Sequence, residues 1–114
     1  MKEVKPWMDR TKLLLGEEKL SKLVNSNVLV VGLGGVGGIA AEMIARAGVG
    51  KMTIVDADTI DASNRNRQIP ALKSTETLLK AHVMAERLRD INPEIELTVI
   101  TEFIEIDRII EILN

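Results

Sequence analysis

Residues 32–38 read Gly32-Leu33-Gly34-Gly35-Val36-Gly37-Gly38, and this run limits the fold more than any other part of the chain. It follows Asn27-Val28-Leu29-Val30-Val31, an apolar, β-branched run without alternation, which predicts a strand covered on both faces of a parallel sheet. It leads into residues 35–47, small or helix-favouring, where Ile39, Met43 and Ile44 supply an inward face and Gly48 a stop. Gly32, Gly34 and Gly37 match G-x-G-x-x-G. That pattern reserves one position for a tight reversal, one for backbone approach to phosphate and one for close packing of helix on strand. The helix start then offers unpaired N–H groups and the positive end of its dipole to an anion. With Gly35 in the same surface and five glycines in seven residues, the turn reads as a nucleotide site rather than a bare reversal.

The elements on either side extend this unit. Residues 16–24 place Leu20, Leu23 and Val24 at helical spacing among charges, a short amphipathic helix. Residues 51–55 predict a second strand ending at Asp56-Ala57-Asp58, and a polar loop follows over residues 59–75, long enough to suggest function. Residues 76–91 carry Leu78, Leu79, Val83, Leu88 and Ile91 on a helical stripe that Asn92-Pro93 ends. A third strand is expected over residues 95–100 and a further helix over 107–113. Strands alternating with helices imply the α/β class: a Rossmann-like parallel sheet, one β-α-β-α-β half preceded by a short N-terminal helix. A complete doubly wound domain would add strands beyond Asn114, so the chain reads as truncated. The expected division is a helical arm over residues 1–26 and half of a nucleotide-binding domain over 27–114.

Composition removes several alternatives. A chain of 114 residues with 46% hydrophobic and 28% charged residues suits one folded domain rather than a disordered segment. The formal charge of −2 gives no global field for nucleic acid or an anionic membrane. With no cysteine there are no disulfides, thiolate metal sites or cysteine nucleophile, and no metal ligand set is assigned. No signal-peptide core or membrane-length apolar run is present in the sequence, so no membrane partner and a cytoplasmic location are expected. His82, beside the Leu78, Leu79 and Val83 stripe, is expected to be a partly buried helix residue without a catalytic role.

The ligand is narrowed by two further features. Asp56 ends the second strand about twenty residues beyond the glycine turn, where a carboxylate accepts hydrogen bonds from ribose hydroxyls of NAD or ATP alike; Asp58 is the second acidic candidate. The loop Asn64-Arg65-Asn66-Arg67-Gln68 serves no evident need of a dehydrogenase, but it suits a triphosphate. Guanidinium groups neutralise phosphate through paired hydrogen bonds, and Asn or Gln holds a nucleotide or a hydrated metal ion without adding charge.

These segments resemble the ThiF/MoeB/HesA adenylating family, to which ubiquitin-activating enzymes are related. The resemblance covers residues 10–103 and rests on Arg10-Thr11-Lys12-Leu13-Leu14-Leu15-Gly16, the glycine turn with Val30-Val31 before it, Arg46-Ala47-Gly48-Val49-Gly50, Asp56-Ala57-Asp58, the loop at 64–68 and Ile91-Asn92-Pro93. Within the family, the 64–68 loop followed by Ile69 and Ala71-Leu72, together with Val83-Met84-Ala85-Glu86-Arg87-Leu88, is most similar to the tRNA threonylcarbamoyladenosine dehydratase branch. The resemblance implies ATP with Mg2+ as cofactors, a ribose contact at Asp56 and phosphate contacts from Asn64, Arg67 and Lys80. It implies a homodimer in which Arg10 reaches the partner's triphosphate, so that Arg10, Arg67 and Lys80 are the candidate catalytic cations. Nucleotide contacts then fall on Gly32, Gly34, Gly35, Gly37, Asp56, Asp58, Asn64, Arg67, Gln68 and Lys80.

The implied activity is ATP-dependent dehydration of threonylcarbamoyladenosine in tRNA. Adenylation of a ubiquitin-like or sulfur-carrier protein and a non-catalytic nucleotide-binding or dimerisation module stay open, with an NAD oxidoreductase behind them. Two positions depart from the branch: Pro70 where it often has His, and Thr77 where it often has Gly. The acceptor-binding second half would be missing, so weak nucleotide binding and little turnover are expected of the chain alone.

Overall fold

Three parallel strands carry the architecture, β1 (Asn27–Val31), β2 (Lys51–Val55) and β3 (Glu96–Ile100), arranged β1-β2-β3 with Val30 opposite Ile54 and Ile54 opposite Val99. The computed structural model describes residues 3–114, so the first two residues of the expected arm lie outside it. Helices α1 (Asp9–Leu15) and α2 (Glu17–Val24) precede the sheet, α3 (Gly37–Ala47) joins β1 to β2, α4 (Lys80–Ile91) joins β2 to β3, and α5 (Ile106–Leu113) follows. The α/β, Rossmann-like half expected from the sequence is therefore present, and no helix of the described residues is long and apolar enough to cross a membrane.

Both connecting helices pack on one face of the sheet. Val30, Met52 and Ile54, with Val28, Leu97 and Val99, meet Ala41 and Ala45 of α3 and Ala81, Met84, Ala85 and Leu88 of α4. This corrects three expectations. Among the described residues β1 is not covered on both faces: it pairs with β2 alone, Val30 is its only buried residue, and Val31 is 52% exposed. The inward face of α3 is Gly38, Ala41, Glu42 and Ala45, with Ile44 packed partly buried against the core as expected, while Ile39 and Met43 face outward. Small residues let the helix approach the sheet closely, which the turn at its start demands. Helix α4 begins at Lys80 rather than residue 76, and its buried stripe runs through Ala81, Met84, Ala85 and Leu88, leaving Leu78 and His82 exposed.

The polar loop also has more structure than its composition suggests, with 3-10 turns at Ala62–Asn66 and Lys73–Thr75. At the other end, the helix expected over residues 16–24 is α2, and α1 before it was not expected from the sequence; Gly16, at φ +83°, breaks the two apart. Met8, Leu20 and Val24 form a small second core, and Met8 lies 3.3 Å from where a Cβ on Gly48 would stand. Gly48 ends α3 in the left-handed conformation, as its position predicts.

Two polar devices tie the helices together. The buried Asn92 side chain, just past α4, donates to the carbonyls of Ala45 at 3.2 Å and Val49 at 3.0 Å, satisfying the end of α3. Glu42, buried on α3, accepts from Arg87 of α4 and from Arg46 one turn along its own helix. The Arg87 hydrogen bond is the largest of the influences that hold the Glu42 carboxyl below the ordinary range against the cost of burial. The same contact raises the Arg87 guanidinium.

Candidate nucleotide-binding site

The glycine turn is built by sterics that can be measured. Gly32 sits at φ +88°, outside the range a side chain favours, and its N–H donates to Val55 O at 2.7 Å, so the reversal stays pinned to β2. A Cβ on Gly37 would stand 1.7 Å from Gly32 O, an overlap that excludes every other residue. Val36, the residue before α3, makes no side-chain cap. The amides of Gly34, Gly35, Val36 and Gly37 find no acceptor among the described residues, so the helix start presents free donors.

Asp56 links this turn to the second strand. One carboxylate oxygen accepts from Leu33 N and the other from Asp58 N, each at 2.8 Å. Each oxygen keeps a lone pair for a ligand, because a carboxylate has about four acceptor sites. Asp58 is exposed and donates only its amide to this pair.

The 64–68 loop folds over the turn. Positions where Cβ atoms would stand on Gly34 and Gly35 lie 3.5 Å from Gln68 Nε2 and 3.9 Å from Arg67 Cγ. Gln68 is 9% exposed, and its Oε1 is buried without a hydrogen-bond donor, an orphaned acceptor beside the turn. Asn64 caps its own 3-10 turn, its Oδ1 accepting from Asp61 N at 2.9 Å. Arg67 folds onto Ser63 O and Asn66 Oδ1, whereas Arg65 pairs with Glu76 at 3.2 Å. The two arginines thus separate: Arg65 is committed to an ion pair, while Arg67 lays its aliphatic stem beside Gly35 and makes no ion pair among the described residues.

Lys80 is the first residue of α4, is 7% exposed, and makes no ion pair among the described residues. A cation at a helix N-terminus is unfavourable by itself, so a neighbouring anion would relieve it. Its charge reaches the Asp61 carboxyl, which lies below the ordinary range through the Ser63 hydroxyl and amide first and Lys80 least. Arg10 lies apart from these groups, exposed on α1, which packs chiefly against α2 and the preceding turn. Among the described residues no three His, Asp or Glu side chains gather to hold a metal.

The sequence reading missed the apolar wall. A pocket of about 200 Å³ opens at the ends of β1 and β2, lined by Val31, Val55, Phe103 and Ile104 with Asp56 and Asp58 beside them. Its signal was the sole phenylalanine, Phe103, three residues past the end of the third strand and 87% exposed.

Comparison with known proteins places this geometry. The chain is 43% identical over 111 residues to the tRNA threonylcarbamoyladenosine dehydratase of Escherichia coli, covering 95% of this chain and 41% of that protein. It is 43% identical over 83 residues to the sulfur carrier protein ThiS adenylyltransferase of the same organism, covering 71% of this chain and 32% of that one. The crystal structure of the E. coli dehydratase in complex with ATP superposes with a TM-score of 0.91 at 41% identity, over 99% of this chain and 48% of that one. The chain therefore spans less than half the length of these relatives. The ThiF family model matches residues 8–114, and the chain belongs to the ThiF family.

Proposed function

We propose that this chain is the ATP-binding portion of an adenylating enzyme whose acceptor is threonylcarbamoyladenosine in tRNA. Asp56 carries the reading: its carboxylate holds the glycine turn through Leu33 N and stands at the mouth of an apolar pocket, so phosphate donors, a ribose acceptor and a base-sized space meet at one residue. The likeness to the dehydratase bound to ATP supports the same ligand.

In this reading the adenine lies against Val31, Val55 and Phe103, and the ribose hydroxyls donate to Asp56. The free amides of residues 34–37 with Asn64, Arg67 and Lys80 take the phosphates, and Mg2+ arrives on them. Gln68 Oε1, short of a donor, accepts from water carried with the phosphates and the metal. An acceptor carboxylate attacks the α-phosphorus and pyrophosphate leaves. Internal attack on the activated carbonyl then expels AMP, for a net loss of water. The chain's cations contribute by stabilising charge on the reacting and departing phosphates. Arg10, remote from its own turn, serves the site of a second copy in a homodimer.

Calorimetric titration tests the reading. ATP should bind, adenosine should bind more weakly, and Asp56→Ala should lose at least about tenfold in ATP affinity. Pyrophosphate release should be slight for this chain by itself, which spans less than half of its relatives' length. Preference for NADH over ATP, or robust turnover by the chain alone, would overturn it. The identity to the ThiS adenylyltransferase favours one other acceptor, a carrier-protein C-terminus. Exchange of labelled pyrophosphate into ATP stimulated by such a protein and not by tRNA would select it.

A further inference from the structure

One non-glycine residue among the described residues has a positive φ, Thr77 at +73°. A left-handed conformation is costly for any side chain and most for a β-branched one, so it persists only where surrounding contacts dictate it. Those contacts are on both sides of the residue. Thr77 N donates to Ile60 O at 2.9 Å, Ile60 N to Leu78 O at 2.8 Å and Lys80 N to Asp58 O at 3.0 Å, while Thr59 and Leu79 form an isolated antiparallel bridge. Leu78 N closes the preceding turn on Thr75 O at 3.1 Å.

These bonds strap residues 58–60, just past Asp56, to the segment that leads into α4. The reversal at Thr77 lets the chain leave the Lys73–Thr75 turn, pair with Ile60 and deliver Lys80 to the helix start. Without it the sequence would continue as helix from residue 76, and Lys80 would sit a turn inside it.

We propose that Thr77 is a positioning residue for Lys80: its left-handed backbone holds the strap that sets the lysine at the phosphate site, and the strain stored there makes this strap the first part of the site to open. The inference rests on the nucleotide reading above. It assigns the strap a graded response to the residue at position 77, from glycine, which relaxes the conformation, through asparagine, which tolerates it, to threonine and then valine.

Hydrogen exchange and binding on Thr77→Gly, Thr77→Asn, Thr77→Val and the wild type test this. The Ile60 and Lys80 amides should exchange slowest in Thr77→Gly and fastest in Thr77→Val, with a spread of about tenfold, while β2 amides move less. The ratio of ATP to adenosine affinity should follow the same order, because only ATP engages Lys80; a purely structural role would shift stability and leave that ratio flat. A flat ratio across the four proteins, or strap amides exchanging no faster than those of β2, overturns the proposal. Failure of the wild type to bind ATP would instead overturn the nucleotide reading, while the exchange order would still report on the strap.

Discussion

The glycine turn and the N-terminal helix α1 face opposite structural demands. In the turn each position answers to a neighbour: Gly37 to Gly32 O, Gly38 to Leu33 O, Leu33 N to Asp56. In α1 the leucines Leu13 and Leu14 are 81% and 83% exposed among the described residues, while Met8 just before the helix is buried under Gly48. Neighbouring apolar side chains left in water form a surface that further protein would cover favourably. The turn is held in place by its own backbone, and the outer side of α1 is not covered among the described residues.

The largest effect is expected where the turn is tightest. Gly37→Ala places a methyl on a backbone oxygen that no rotamer change can move, and should cost about 3 kcal/mol or more in urea denaturation. Gly34→Ala meets only the end of Gln68, at 3.5 Å, and should cost less than about 1 kcal/mol while weakening ATP binding, because its methyl crowds the phosphate approach. Equal losses of stability in the two variants would show that the turn is not organised by this contact.

A middle effect lies beneath the site, where Glu42 joins α3 to α4. Glu42→Gln leaves Arg87 a neutral partner and should destabilise by about 1–2 kcal/mol. The pH dependence has a definite sign. The folded carboxyl is held below its ordinary value of 4.5, chiefly by the Arg87 hydrogen bond, so its contribution is complete above 4.5 and is lost as pH falls through the lower folded value. Urea midpoints should therefore drop in acid more steeply for the wild type than for Glu42→Gln. Asp61, depressed through Ser63, keeps a share of the slope in both.

The same contrast explains what could be read from the sequence. The turn was legible because backbone sterics demand glycine at fixed positions, and the structure brings Asp56 and residues 67–68 of the polar loop against it. The inward face of α3 was not, because periodicity ranks residues by apolar size, whereas a helix launched from a glycine turn packs on the sheet through Ala41 and Ala45 and turns Ile39 and Met43 outward. The start of α4 was misplaced for a backbone reason: residues 76–79 have helical composition, and only the left-handed Thr77 reveals the strap. The Phe103 wall escaped because it depends on where the chain crosses the strand ends.

The smallest effect on stability should come from the exposed leucines of α1, and it decides whether the second half of the comparison is right. Arg10, Leu13 and Leu14 lie at helical spacings of three and four, so one side of α1 presents a guanidinium beside two leucines. The double substitution Leu13→Ser and Leu14→Ser removes no buried contact and should change the unfolding free energy by no more than about 0.5 kcal/mol. Leu20→Ala, one helix further on and fully buried, should cost about 2–4 kcal/mol. If the leucines anchor Arg10 on a second copy, sedimentation should show the double variant shifted toward monomer, and ATP should bind it as weakly as it binds Arg10→Ala. Undiminished self-association would mean that α1 contributes no part of the dimer contact, and Arg10 would then lose its proposed place at the partner's phosphates.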